Sequence, residues 1–168
     1  MRLYTHANTN RPMDRIHVLV VTGHRSDKVI KPLDAASIDY TVVTSDADSL
    51  VHLNIELARK AISVLAEANI DLILTDHADI SAFVSAILSV RHRVPLVVRL
   101  GGNIWQINEK KVAEARRDRD FIKYAFIQLL RTLNRLTFAQ ASGYIVVSTE
   151  LKGTIVSRTG IAESMVQM

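Results

Sequence analysis

The sequence contains no cysteine. That absence excludes disulfides, thiolate zinc sites, iron–sulfur clusters and a thiol nucleophile, and it fits a reducing compartment. Long apolar runs are also missing. Stretches such as Val18–Val21 and Tyr144–Val147 fall far short of the ~18–20 residues of a membrane span. Residues 1–15 are polar and hold no apolar signal core. They read as a flexible leader, and the cytoplasm is the expected location. No G-x-G-x-x-G is present, since Gly23 stands alone, and there is no Walker loop. Both absences argue against a nicotinamide cofactor or an ATPase. No serine sits in a nucleophile elbow. No pair of histidines has metal-ligand spacing, so no metal site is expected. Internal repeats and a linker rich enough to divide the chain are absent as well.

What remains is ordinary globular composition. The 168 residues are 48% hydrophobic and 23% charged, which suits one domain with a core of its own. The formal net charge of +4 is uneven. Residues 1–90 carry 8 Lys/Arg against 11 Asp/Glu, a net −3, while residues 91–168 carry 13 against 6, a net +7. An anionic surface or ligand near the second half is implied.

Short apolar runs alternate with helical periodicity. IHVLVVT (16–22), YTVVT (40–44), DLILT (71–75), PLVVRL (95–100) and GYIVVS (143–148) read as strands covered on both faces. Helical spacing of three and four runs from His52 to Ala68 and again after Asp79. Residues 108–141 read as one long helix or two with a joint near Asp118. Ser148 is placed to cap a helix over 149–158, and Gly160 to stop it. Residues 24–39 fit helix or loop equally. This alternation predicts an α/β fold over residues 16–168. It is a single doubly wound, Rossmann-like domain with a mostly parallel sheet of five to six strands flanked by helices.

In such sheets ligands bind beyond the carboxyl ends of the strands. The candidates are therefore Gly23, His24 and Arg25, then Asp76 and His77, then Arg99, Gly101, Gly102 and Asn103, then Ser148, Thr149 and Glu150. Ser45-Asp46 holds the same topological position. His77 could exchange a hydrogen bond with a substrate hydroxyl. Arg99 interrupts an apolar strand, so it binds an anion or pairs with Asp76. Trp105, the single tryptophan, is either a ring platform or loop packing. At ~100° per residue, Ile122, Phe126, Leu129, Leu130, Leu133 and Leu136 form an expected core stripe. Arg119, Lys123, Arg131 and Arg135 gather on another face, with Tyr124, Ile127 and Phe138 among them. Lys123, Tyr124, Ile127, Arg131 and Arg135 are thus candidates for contact with an anionic membrane surface. With one basic region and no recognition module, nucleic acid is not an expected partner.

The stretches DLILTDHADISAFVSAIL, VPLVVRLGGNIW and GYIVVSTELKGTIVSRTGI, in that order, resemble the N-terminal, acceptor-side domain of retaining nucleotide-sugar glycosyltransferases of the family-4-like type. The likeness runs from about Ile16 to Met168. It implies a two-domain enzyme in which this half binds the acceptor and a C-terminal Rossmann-like half binds the nucleotide-sugar. His77 falls where relatives keep a histidine near the transferred sugar, which makes it the catalytic candidate. Arg99 to Asn103 and Ser148 to Glu150 would border the same cleft. Many relatives act on lipid-linked or membrane-associated acceptors. Two departures stand out. Where many relatives have a glycine-rich loop, Gly23 is followed by the bulky His24 and Arg25. Relatives also continue past the equivalent of Met168 into the donor-binding half.

The resulting expectation is the acceptor-binding half of a glycosyltransferase, inactive by itself and binding no cofactor alone. The nucleotide-sugar would bind only once a separate donor-binding domain or chain is supplied. An anionic membrane at the inner face and a homodimer are the other expected partners. The alternative is a non-catalytic Rossmann-like binding module or a membrane-surface adaptor.

Overall fold

The computed structural model describes residues 4–5, 16–23, 27–47 and 49–168. Its strands are β1 (Tyr4–Thr5), β2 (His17–Val21), β3 (Asp39–Val43), β4 (Leu72–Asp76), β5 (Leu96–Leu100), β6 (Gly143–Val146) and β7 (Val166–Gln167). Its helices are α1 (Asp27–Ala35), α2 (Leu50–Glu67), α3 (Ile80–His92), α4 (Ile104–Arg117), α5 (Phe121–Gln140) and α6 (Thr149–Thr159). The sheet runs in the order β1-β3-β2-β4-β5-β6-β7. All pairs are parallel except β1 with β3. The expected α/β, doubly wound, Rossmann-like domain is what the chain forms.

Buried apolar runs explain the strands. Val18, Leu19, Val20 and Val21 alternate between two cores. Leu19 and Val21 join Leu57, Ile73, Val98, Phe138, Leu151 and Ile155 on the face covered by α2, α3, α5 and α6. Val18 and Val20 join Val29, Ile30, Leu33, Tyr40 and Val42 under α1. Such two-sided burial is why these strands read as continuous apolar runs. The α1 face is thinly covered farther along the sheet, where Val97 of β5 and Ile145 of β6 are only half-buried.

Three readings of the sequence meet different outcomes. The expected leader is outside the described residues except for Tyr4–Thr5, which pair antiparallel with β3. Residues 27–35 form α1 despite Pro32. The ring removes one backbone hydrogen bond, but Val29, Ile30 and Leu33 are buried on one side and hold the helix.

The expectation for α5 needs correction. The expected core stripe is largely exposed, with Ile122 86% accessible and Leu129, Leu136 and Phe126 also exposed. The buried residues of α5 are Ile127, Asn134, Thr137 and Phe138. Ile127, expected at a membrane surface, is 2% exposed and packs with Val112, Ala115 and Tyr124. The reason is packing. α5 lies against α3 and α4, and small polar groups on its inner side let the helices approach. The joint near Asp118 is real, since Asp118 ends α4 and Asp120 caps α5 by accepting from the Lys123 N–H.

Candidate functional site

The strand order reverses between β2 and β4, since β3 lies on one side of β2 and β4 on the other. Loops leaving neighbouring strands at such a point diverge and leave a crevice. Gly23 follows β2 there. His24 and Arg25 are outside the described residues. Asp76 and His77 follow β4, and Arg99 comes from the adjacent strand in register with Asp76.

These three residues form one cluster. The Arg99 Nη1 donates to Asp76 Oδ1 at 2.7 Å. His77 Nδ1 lies 3.0 Å from the same oxygen. The His77 backbone N–H donates to the Arg99 carbonyl at 2.8 Å. Asp76 is 3% exposed and Arg99 12%, whereas the His77 ring is 64% exposed. A buried carboxylate thus orients an accessible imidazole. Its hydrogen bond to Asp76 raises the His77 pKa above the usual histidine range, and the Asp76 and Asp79 charges act the same way. Burial and the Arg99 charge oppose the rise. With Nδ1 held by Asp76, Nε2 has no partner among the described residues and is presented to solvent. This arrangement can exchange a proton or a hydrogen bond with a substrate hydroxyl.

His77 has a φ of 74°, a left-handed conformation costly for any residue with a Cβ. Strain of this kind persists where the surroundings determine it. Asp79 begins α3 two residues later, its carboxylate accepting from the Ser81 and Ala82 N–H groups and from the Ser81 hydroxyl. The short path between β4 and α3 forces the turn at His77.

The glycines are not needed for packing. A Cβ at Gly23 or Gly102 would meet nothing within 4 Å, and at Gly101 only the Arg99 Nη1 at 3.8 Å. Neither do they need positive φ. Gly101 and Gly102 are exposed. Asn103 caps α4 through the Gln106 N–H, and Ser148 caps α6 through the Leu151 N–H. Thr149 and Glu150 are exposed in the first turn of α6. Trp105 does not join the Asp76 cluster. It stacks on Phe138 with centroids 5.4 Å apart, and Phe138 meets Tyr144. Lys123 pairs with Glu114 at 3.6 Å. Tyr124 lies under the Arg116 guanidinium, and Arg131 and Arg135 border a separate pocket.

Sequence reasoning missed Glu56 and Lys60. Both reach from α2 to the end of β3, where Ser45 donates to Glu56 at 2.5 Å and Lys60 donates to the Thr44 carbonyl at 2.8 Å. Glu56 and Lys60 pair at 2.6 Å. Their four-residue spacing is a common helix pairing, but nothing in it points to Ser45. His17, which opens β2, is buried with Nε2 2.9 Å from the Thr41 hydroxyl. No His/Asp/Glu group able to hold a metal occurs among the described residues. Among the same residues no helix is long and apolar enough to cross a membrane.

No family model matches the sequence, and no curated protein matches it. Solved structures do. The UDP-GlcNAc 2-epimerase from Methanocaldococcus jannaschii superposes with a TM-score of 0.60 at 12% identity, over 90% of this chain and 44% of that one. A UDP-glucosyltransferase from Polygonum tinctorium gives a TM-score of 0.46 at 13% identity, over 88% of this chain and 49% of that one. The chain therefore spans less than half the length of either protein. What it shares with the epimerase is the fold, one Rossmann-like α/β domain.

Proposed function

We propose that this chain is the acceptor-side domain of a nucleotide-sugar-dependent glycosyltransferase, and that a second, donor-binding domain or chain completes the site. The observation that carries the reading is the Asp76-held imidazole of His77, accessible at the point where the strand order reverses. Three further points support it. The three stretches that carry the ordered resemblance span the ends of β4, β5 and β6. The half-buried Val97 and Ile145 leave a sheet face able to pack against more protein. Two cations at the strand ends, Arg99 and Lys60, are already paired with Asp76 and Glu56. A departing diphosphate needs unpaired positive charge, which another domain would bring. In this division of labour His77 meets the acceptor or the transferred sugar, the exposed Gly101 and Gly102 lie alongside, and Asp76 with Arg99 fixes the imidazole.

The test uses the purified chain. Incubated with a panel of nucleotide-sugars and saccharide acceptors, it should release no nucleotide above the uncatalysed rate. Acceptors that bind should shift the His77 imidazole resonances in a saturable way. Nucleotide release by the chain alone, or saturable binding that leaves those resonances unmoved, overturns the reading.

A second reading, an anionic lipid surface as partner, is favoured by one face of α5. Phe121 and Ile122 are 81% and 86% exposed, in line with the exposed Leu129 and Leu136. Arg116, Arg117, Arg119 and Lys123 crowd the turn beside them. Apolar insertion flanked by cations is the chemistry of an interfacial helix. Phe121→Ser with Ile122→Ser should cut co-sedimentation with anionic vesicles by about tenfold or more, because each buried apolar side chain is worth roughly 1.5–3 kcal/mol. Unchanged binding removes the membrane from the account, and a shift from dimer to monomer in the same variant assigns the face to a second copy.

A further inference from the structure

A second concavity lies among α4, α5 and α6, with a cavity volume of about 560 Å³. None of Asp76, His77 and Arg99 lines it. Volumes of this order hold small organic ligands. Its chemistry is specific. Trp105 and the Phe138 stacked on it contribute an aromatic wall. Asn108 and Asn134 are buried polar lining. Arg131, Arg135 and Arg158 bring three guanidinium groups.

Two features set this pocket apart from a packing gap. The first is Asn134. Its residue is 5% exposed, and its Oδ1 has no hydrogen-bond partner. A buried acceptor left unsatisfied costs free energy, and an amide that turns over to meet a ligand donor would remove that cost. The second is unbalanced charge. Arg158 lies 3.4 Å from Glu109, but neither Arg131 nor Arg135 pairs with a carboxylate among the described residues. An oxyanion would satisfy both.

We infer that this pocket binds a small hydroxylated ring bearing an oxyanion, a monosaccharide phosphate or sugar carboxylate in size and chemistry. The oxyanion meets Arg131 and Arg135 in charge-assisted hydrogen bonds. Turning the Asn134 amide over brings its acceptor oxygen into the pocket, where a ring hydroxyl donates to it. The apolar C–H face of the ring lies on the aromatic wall. The site is independent of the reading of His77, because no residue is shared between them. It also gives Arg131 and Arg135 a role that a solvated helix face would not need.

Trp105 is the single tryptophan in the chain, so its fluorescence reports the pocket directly. Titrations with glucose 6-phosphate, glucuronate, glucose and inorganic phosphate separate the contributions. At least one of the two ring anions should change the emission saturably, with half-saturation below about 1 mM. Whichever binds identifies the preferred oxyanion. Glucose and inorganic phosphate should each bind about tenfold more weakly, since each lacks part of the recognition. Arg131→Ala and Arg135→Ala should each weaken the ring anion about tenfold without altering the melting temperature. Asn134→Leu should weaken it to a similar degree and leave the fold at least as stable, because it removes an unsatisfied buried group. Absence of saturable change with both ring anions up to about 10 mM overturns the inference. Binding that survives both arginine substitutions, or glucose binding as tightly as its phosphate, overturns it too.

Discussion

Replacing Arg99 with alanine should destabilise the domain by up to about 3–5 kcal/mol, because it strips the guanidinium from a buried carboxylate. That carboxylate is Asp76, 3% exposed and bonded to Arg99 at 2.7 Å. For a domain of this size that is a fall in melting temperature of roughly 6–20 °C. The neighbouring imidazole gives the loss a pH signature. Without the Arg99 charge, which opposes His77 protonation, His77 should hold its proton to higher pH and partly neutralise Asp76. The Arg99→Ala deficit should therefore be smaller at pH 6 than at pH 8. A second substitution separates buried charge from lost packing. Arg99→Met with Asp76→Asn removes both charges, and it should recover much of the stability that Arg99→Ala loses. Urea unfolding of the parent, Arg99→Met, Asp76→Asn and the double variant measures the coupling. An Arg99→Ala protein within about 0.5 kcal/mol of the parent would mean that Asp76 is already satisfied without Arg99, leaving Arg99 free for an anionic ligand.

The same pair shows what the sequence could reveal. An arginine in PLVVRL and an aspartate ending DLILTD are conspicuous because the surrounding strands are otherwise apolar. Strands that sit next to each other at matching heights bring them together. The five main strands are legible for the same reason, since burial on both faces writes itself as continuous apolar runs. Strand β7 is not, because two residues carry no pattern. Helix α1 is obscured by Pro32. Helix α5 misleads for a deeper reason. It has two apolar stripes, and periodicity does not say which one the fold covers. Ile127 and Phe138 share the inner side with Asn134 and Thr137, so the stripe richer in large apolar residues is the exposed one. Polar groups mark the true interface, and one of them, Asn134, lines a pocket. The Glu56–Lys60 pair escapes notice because its partners at the end of β3 precede it by more than ten residues, across a loop.

His77 yields the second large effect, and the left-handed backbone allows function and stability to be measured apart. Glycine tolerates a φ of 74° without the Cβ penalty, so His77→Gly removes the imidazole while relieving strain. Asparagine also visits this region more readily than most residues, and it keeps a polar side chain that takes no charge. Both variants should unfold within about 1 kcal/mol of the parent. In an enzyme completed with a donor-binding domain, both should lower kcat/KM by about 10²-fold or more, the usual contribution of a positioned proton-transfer group. The pH dependence of stability gives an independent check on the Asp76 contact. Because that contact raises the His77 pKa in the folded state, its stabilisation is complete below the unfolded value of about 6.5 and is lost as pH rises through the folded value. The stability difference between the parent and His77→Asn should accordingly shift against the parent as pH rises above about 6.5, and no comparable step should occur between His77→Asn and His77→Gly. A variant that turns over like the parent would demote the imidazole to a loop residue bonded to Asp76. A fall in activity matched by an equal fall in stability would show that His77 holds the strand ends in place, with the chemistry belonging to another group.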